Sequence, residues 1–395
     1  IPISERTVVR IIYDTDALYF GFECFSSDMS SLVANNMRRD SEIWGDDNVQ
    51  ILLDTYNDRQ TGFFFFVNPL GARRDLMLSD EGRSYNEDWD CNWEVKTQKY
   101  ADRWTAEVKI PFDQLRFKND GNMVWVINMA RFIPAKNEAA QFVVGRKSTS
   151  SRARYWMSDI GELHGLGSVK SKRLFQVKPY ILPGTGRDYV TLGASEDPVF
   201  ETGMDVRYGL TSNLTLDVSY NTDFAQVEGD QEQVNLSQFQ LFFPEKREFF
   251  LEGSNLFDFG EAAETRGGDD KPPTILFYSR RIGVDNKRQV PILLGTKLTG
   301  KAGRTSIGAL NVLTNDAQFS DPGGITTVPK SNYSVLRVKQ DVLGSSNLGF
   351  IFVNKMTDAP GKNAYNRAAG MDFSYSPTAA FNVQGFAART WGSAI

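Results

Sequence analysis

The stretch FETGMDVRYGLTSNLTLDVSY, Phe200 to Tyr220, alternates along its length. Phe200, Thr202, Met204, Val206, Tyr208 and Leu210 fall on one face of an extended chain, and Glu201, Gly203, Asp205, Arg207 and Gly209 on the other. Successive strand side chains point to opposite sides, so the pattern predicts a strand with one apolar and one polar face. After Thr211-Ser212-Asn213 it resumes, with Leu214, Leu216, Val218 and Tyr220 facing away from Thr215, Asp217 and Ser219.

Outward from this pair, PILLGTKLTGK and AAGMDFSYS alternate in the same way. TSIGALNVLT, SNYSVLRVKQDV, NLGFIFVNKM and FNVQGFAARTW alternate less strictly. Strands of about ten residues have the length a tilted strand needs to cross a bilayer. Tyr208, Tyr220, Tyr333, Tyr375 and Trp391 sit toward strand ends, where membrane barrels carry aromatic girdles. A soluble sheet with one wet face also alternates. Three features favour a membrane barrel: no intervening helices cover the apolar faces, the strands are long, and the opposite faces are charged and Gly-rich.

The chain before Gly161 has another texture. TVVRIIY, ALYFGFECF, NVQILLDT, TGFFFFVNP, WEVKTQ, WTAEVKIP and MVWVINMARF follow one another across turn signals such as Asn68-Pro69-Leu70-Gly71. Several are apolar on both faces, as inner strands of a two-sheet sandwich are. Short helices are expected near PFDQLRF and MSSLVANNMRR. GELHGLGSVKSKR, from Gly161, lacks periodicity and suggests a boundary. The fold expected is all-β: a sandwich over 1–161, a linker over 162–173 and an incomplete antiparallel barrel over 174–395.

Composition excludes several functions. A net charge of -5 is not the basic footprint of a nucleic-acid partner. One histidine, His164, removes multi-His zinc sites. Cys24 and Cys91 are too few for a disulfide scaffold; two buried or loop thiols are expected, although one bridge is open. The sequence opens in a strand pattern at RTVVRIIYD and stops at QGFAARTWGSAI, so both ends are expected to be incomplete.

Between these regions lies YNTDFAQVEGDQEQVNLSQFQLFFPEKREFFLEG, Tyr220 to Gly253. Its acidic, amide-rich half suits water, whereas Phe242, Phe243, Phe249 and Phe250 crowd around Glu245, Lys246, Arg247 and Glu248. Either a strand end, turn and new strand, or a segment folded into a barrel lumen with Arg247 paired to carboxylates, accounts for both.

This block resembles the signature of a family of Gram-negative outer-membrane proteins. The same family carries an N-terminal domain similar to the family 9 carbohydrate-binding module. Here that domain resembles VRIIYDTDALYFGFECFSSD, MRRDSEIWGDDNVQILLDTYNDRQTGFFFFVNPLGARRD, DEGRSYNEDWDCNWEVKT and RWTAEVKIPFDQLRF. The resemblance implies a sandwich followed by a barrel in the outer membrane of a Gram-negative bacterium. It implies no enzymatic activity.

Sugar modules stack rings on aromatic faces and orient hydroxyls with carboxylates, amides and arginine. The residues that fit are Trp44, Arg83, Asn86, Asp88, Trp89, Asp90 and Trp93, centred on NEDWDCNW. Asp46 and Asp47 in WGDDN are oxygen ligands of the type calcium takes, so a structural calcium is the one cofactor expected. As turn formers, the same acids would only cap backbone. Adjacent carboxylates on a strand point apart, no nucleophile motif is present, and the chain is expected to be non-enzymatic. The function expected is that of an outer-membrane receptor or transporter whose sandwich captures a ligand, with a glycan as candidate. The alternative is a structural component whose sandwich plugs the barrel or docks envelope proteins. Partners expected are outer-membrane lipid, a glycan and envelope proteins, and no nucleic acid.

Overall fold

The computed structural model describes residues 3–59, 61–79, 82, 84–87, 89–117, 123–144, 157, 160–167, 169, 175–187, 196–211, 213–222, 245, 247–251, 253–260, 274–285, 288–321, 324–343, 346–359, 362–378 and 381–393. The chain divides into two units, Ile1–Arg173 with Ala262–Asp270, and Leu174–Glu261 with Lys271–Ile395. Every strand pairing among the described residues is antiparallel.

The first unit contains β1 (Thr7–Tyr13), β2 (Ala17–Phe25), β3 (Asn48–Asp54), β4 (Gly62–Val67), β5 (Arg73–Ser79), β6 (Ser84–Asn86), β7 (Glu94–Lys99), β8 (Arg103–Pro111), β9 (Trp125–Ile133), β10 (Glu138–Gln141) and β11 (Gly161–Leu163). One sheet has the order β1-β2-β8-β7; the other runs β10-β9-β3-β4-β5-β6, with β11 also paired to β9. The core between them takes Leu18, Phe20 and Phe22 from one sheet and Val49, Ile51, Phe63 and Phe65 from the other. GFFFFV is buried on both faces, because Phe64 and Phe66 enter a second cluster with Ile43, Leu52, Leu76, Val126, Met157 and Ile160. Its unbroken aromatic run therefore follows from two cores.

Three local expectations change. PFDQLRF forms turns, with the Gln114 N–H on the Pro111 carbonyl and the Leu115 N–H on that of Phe112. MSSLVANNMRR forms only a 3-10 turn at Met29–Ser31, capped by Asp28, before buried carboxylates take its backbone donors. The 162–173 segment is not a free linker where it is described. Leu163 closes β11, Leu166 and Val169 are buried in the core, and the Tyr13 hydroxyl donates to the Gly165 carbonyl at 2.6 Å. Cys24 and Cys91 are free and buried.

The second unit holds β12 (Phe175–Arg187), β13 (Glu196–Gly209), β14 (Leu214–Tyr220), the small hairpin β15 (Val284–Asp285) and β16 (Arg288–Gln289), β17 (Ile292–Ala302), β18 (Thr305–Thr314), the hairpin β19 (Ala317–Asp321) and β20 (Gly324–Val328), β21 (Ser331–Val342), β22 (Ser346–Ala359), β23 (Lys362–Thr378) and β24 (Phe381–Gly392). Its main sheet has nine strands in the order β12-β13-β14-β17-β18-β21-β22-β23-β24. Among the described residues this sheet is open, with β12 and β24 at its edges. Register carries the alternation of FETGMDVRYGL from strand to strand. Phe175 pairs with Tyr208, Tyr208 with Leu216, Leu216 with Leu298 and Leu298 with Ala309.

The polarity of this sheet is inverted. Phe175, Ile181, Phe200, Met204, Tyr220, Leu294, Leu336, Phe350, Met371, Phe373 and Val383 share the outward face and are exposed, Phe200 by 70%. The opposite face buries Thr215, Asp217, Ser219, Lys297, Thr299, Arg337 and Asp372, with Lys297 only 1% exposed.

Candidate functional site

The described sandwich residues expected to bind sugar do not converge. Trp93 leads into β7 and is fully buried, its ring 5.1 Å from that of Phe65. Its indole N–H donates to Asp75 Oδ1 at 2.9 Å, and the Cys91 N–H donates to Oδ2 at 2.6 Å. Arg39 donates to Asp75 at 3.1 Å and to the Cys91 carbonyl at 2.9 Å, and it pairs with the exposed Asp90. Burial pushes the Asp75 carboxyl up to about 6, against the Trp93, Arg39 and Cys91 donors. Trp93 therefore anchors the loop, and its expected place on an open cleft is corrected. An apolar indole with a satisfied N–H is more stable inside.

Trp89 is half-buried against Phe63, ring centres 4.8 Å apart. Trp44 is half-buried against Phe66, 4.5 Å away and edge-on, beneath the Arg74 guanidinium at 5.4 Å. Phe63 and Phe66 point to opposite faces of β4, so Trp44 and Trp89 lie on opposite sides of one sheet and cannot sandwich one sugar ring. Asn86 is half-buried on β6, opposite Met77. Arg83 and Asp88 lie outside the described residues.

Asp46 and Asp47 are buried and committed to backbone. Asp46 accepts from the Asn35 N–H at 3.0 Å, the Asn36 N–H at 3.2 Å and Asn68 Nδ2 at 2.8 Å. Asp47 accepts from the Val33 N–H at 2.9 Å. The calcium expected there is corrected to a capping role that holds the 33–36 loop. Among the described residues no group of three or more His, Cys, Asp or Glu side chains comes together to hold a metal.

The second unit assembles a larger constellation on its buried face, from residues the sequence singled out only in part. Helix α1 (Glu248–Leu251), a following 3-10 turn at Ser254–Phe257 and Phe259 lie against the sheet. Phe249, Phe250, Phe257 and Phe259 bury with Leu310, Val312, Val335 and Ile351. Three rings occupy the space over strand glycines. A Cβ added at Gly295 would lie 2.7 Å from the Phe249 ring, one at Gly308 3.0 Å from Phe257, and one at Gly370 2.5 Å from Phe259. A side chain at Gly295 or Gly370 would force the ring to shift, and one at Gly308 would press on it, which alternation alone does not show.

Polar groups lock the segment. Arg247 pairs with Glu245 at 2.7 Å, donates to the Ile282 and Ser279 carbonyls at 2.6 and 2.9 Å, and stacks over Phe250 at 4.2 Å. Lys297 Nζ donates to the Phe249 carbonyl at 2.5 Å and lies 3.6 Å from Asp217. Arg337 and Asp372 form a two-pronged pair at 2.5 and 2.6 Å, and Asp372 also accepts from the Gly260 N–H at 3.2 Å. Such bidentate pairs fix geometry as well as charge. The EKREFFLEG contradiction resolves: its described aromatics fill an apolar patch while Arg247 turns back on its own Glu245 and on backbone carbonyls. The described part of the segment packs against the sheet, with Arg247 paired to Glu245. Phe242, Phe243 and Lys246 lie outside the described residues. A cavity of about 190 Å³ remains beside the segment, lined in part by Phe250, Phe257, Phe277, Asp258 and Lys297.

These features define an all-β protein in which a two-sheet sandwich precedes a broad antiparallel sheet with an inserted aromatic segment. The chain belongs to the family of a domain of unknown function (DUF5916), whose model matches residues 173–392. Among solved structures, a proposed carbohydrate-binding protein from Bacteroides uniformis ATCC 8492 is similar at 12% identity and a TM-score of 0.34, over 41% of this chain and 79% of that one. No match was found among curated proteins.

Proposed function

We propose that the nine-stranded sheet is the membrane-embedded wall of an outer-membrane β-barrel. In this reading 245–260 fills the lumen side and the sandwich is the recognition domain of a non-catalytic receptor or transporter. The observation that supports this most is the inverted polarity. Exposed Phe, Ile, Met, Leu, Tyr and Val lie outward on eight of the nine strands, all but β18, while Lys297, Asp217, Arg337 and Asp372 are buried behind them. In water such a face would be an aggregation surface; against lipid it is the low-energy arrangement. A glycan remains the candidate ligand of the sandwich on sequence resemblance alone, with Trp44, Trp89 and Asp90 as separate surface points and not one cleft.

The test is lipid contact. In the full-length protein reconstituted with brominated lipid, a fluorophore on Met371→Cys is expected to be quenched, and one on the buried-face variant Thr299→Cys is not. Equal quenching at both positions, or none at either, would reject the membrane reading.

A further inference from the structure

The outward face of the nine-stranded sheet changes character along β22 and β23. Cross-strand partners there are Leu348 and Phe373, then Phe350 and Met371, then Phe352 and Ala369. Leu348, Phe350, Met371 and Phe373 are exposed and apolar. The next pair on the same face is Asn354 and Arg367, followed by Met356 and Tyr365. Two residues further along β22, Asp358 forms an exposed ion pair with Lys330 at 3.2 Å. The face thus passes from an apolar field to a solvated charge pair, and Arg367 stands at the passage.

Strand β24 adds a second arginine. Arg389 pairs with Ala369 and Trp391 with Arg367, so both share the outward face. Arg367 and Arg389 are diagonal neighbours on adjacent strands, a separation of about 7–8 Å that lets two long side chains reach one group. Arg389 is exposed. Arg367 donates through Nε to Asn354 Oδ1 at 2.9 Å and lies over the Tyr365 ring at 4.6 Å. The Trp391 ring tilts against Phe352, centres 6.5 Å apart. Among the described residues neither arginine pairs with a carboxylate. Like charges so placed repel each other. On a lipid-facing wall an unpaired guanidinium is costly near the bilayer centre and tolerated only near the headgroups.

We propose that Arg367 and Arg389 bind the phosphate of an anionic membrane lipid, with Trp391 and Tyr365 as the aromatic flank of the site. The proposal rests on the membrane reading above and deepens it by naming the lipid class the wall selects. Charge complementarity decides the occupant. A phosphodiester offers the oxygens that guanidinium forks grip in pairs, and its charge removes the repulsion between the two arginines. Phe350 and Met371 then face its acyl chains. A zwitterionic headgroup brings its own cation and leaves that repulsion partly in place.

Tryptophan quenching tests the site. Six of the seven tryptophans lie in the sandwich unit, so the difference from Trp391→Phe reports on Trp391. The full-length protein is reconstituted in vesicles of phosphatidylglycerol and phosphatidylcholine in equal amounts, with bromine on the acyl chains of one lipid or the other. Trp391 emission is expected to be quenched at least about twofold more by brominated phosphatidylglycerol. Replacing both arginines, Arg367→Gln with Arg389→Gln, is expected to remove that preference while both lipids still quench. Equal quenching of the wild type by the two lipids, or a preference that survives in the double variant, would overturn the site. A preference abolished by inorganic phosphate, but not by sodium chloride of the same ionic strength, would make the ligand a free anion and overturn it too. So would an unquenched Trp391 beside a quenched Met371→Cys fluorophore, because a protein surface would then cover the arginines. The membrane reading stands in each of these cases. Quenching at neither Trp391 nor Met371→Cys would remove the membrane reading and this site with it.

Discussion

The two units invert each other. In the sandwich Phe20, Phe65 and Trp93 are inside, while Arg10, Glu23 and Lys96 face out. In the nine-stranded sheet Phe200 and Phe373 face out while Lys297, Asp217 and Arg337 are inside. Both are antiparallel and both alternate. The difference teaches that period-two patterning identifies strands, whereas the medium on each side decides which face is stable. The inner face of the second unit also shows how charges survive burial. Each is paired or hydrogen-bonded, as Arg247 is by Glu245 and two carbonyls and Arg337 is by Asp372.

The largest expected effect tests the sandwich side of this contrast. Phe65→Ala removes a ring buried between the two sheets and should cost about 3–5 kcal/mol. Tryptophan fluorescence melts read that unit selectively, since only Trp391 of the seven tryptophans lies outside it. A melt unchanged from wild type would mean that the inter-sheet core is not as described. On the other side, Met371→Arg puts a charge on the outward apolar face. In bilayers it should destabilise the sheet by about 2–4 kcal/mol, and an arginine on the wet face of the sandwich, as in Lys96→Arg, should cost under about 0.5 kcal/mol. Equal costs, measured by urea titration in vesicles, would erase the contrast.

A smaller effect concerns the glycine sockets. Gly370→Val keeps the strand backbone but claims the space of the Phe259 ring, at a cost of about 1–3 kcal/mol. Faster hydrogen exchange at 248–260, with β22 and β23 still protected, is the expected result; unchanged exchange would mean that the ring does not depend on that gap.

The smallest effect is a pH slope. Asp75 ionises near 6 in the folded sandwich and near 3.8 when unfolded, so the folded state holds the extra proton between those values. Stability should fall as pH rises through that window, by at most about 1.4 kcal/mol per pH unit. Asp54, pushed up to about 7 by burial and by the Asp58 charge, adds a slope of the same sign. Comparing melts of Asp75→Asn with wild type from pH 4 to 7 checks this: the variant should lose part of the slope, and a stability that instead rises with pH would contradict it.

Much of the architecture was legible in the residues. FETGMDVRYGL and NLTLDVSY pair as strands with Tyr208 opposite Leu216, as their alternation requires, and GFFFFV is a doubly buried strand. The candidate sandwich site was less legible. NEDWDCNW presented two tryptophans near acids, but composition does not say whether an indole meets solvent or a core; Phe63, Phe65 and Asp75 claim both rings or their donors. Asp46 and Asp47 likewise carried the right atoms for an ion, and the 33–36 backbone took them.

By itself, the sequence determined the all-β class, the strand alternation and the change of texture near residue 161, because these depend on neighbours along the chain. The tertiary structure alone decided which face of each strand is covered, that Phe249, Phe257 and Phe259 seat over Gly295, Gly308 and Gly370, and that Arg247 pairs with Glu245. Those outcomes depend on which surfaces compete for the same space across hundreds of residues. A ring settles over a glycine only because a distant strand leaves the room.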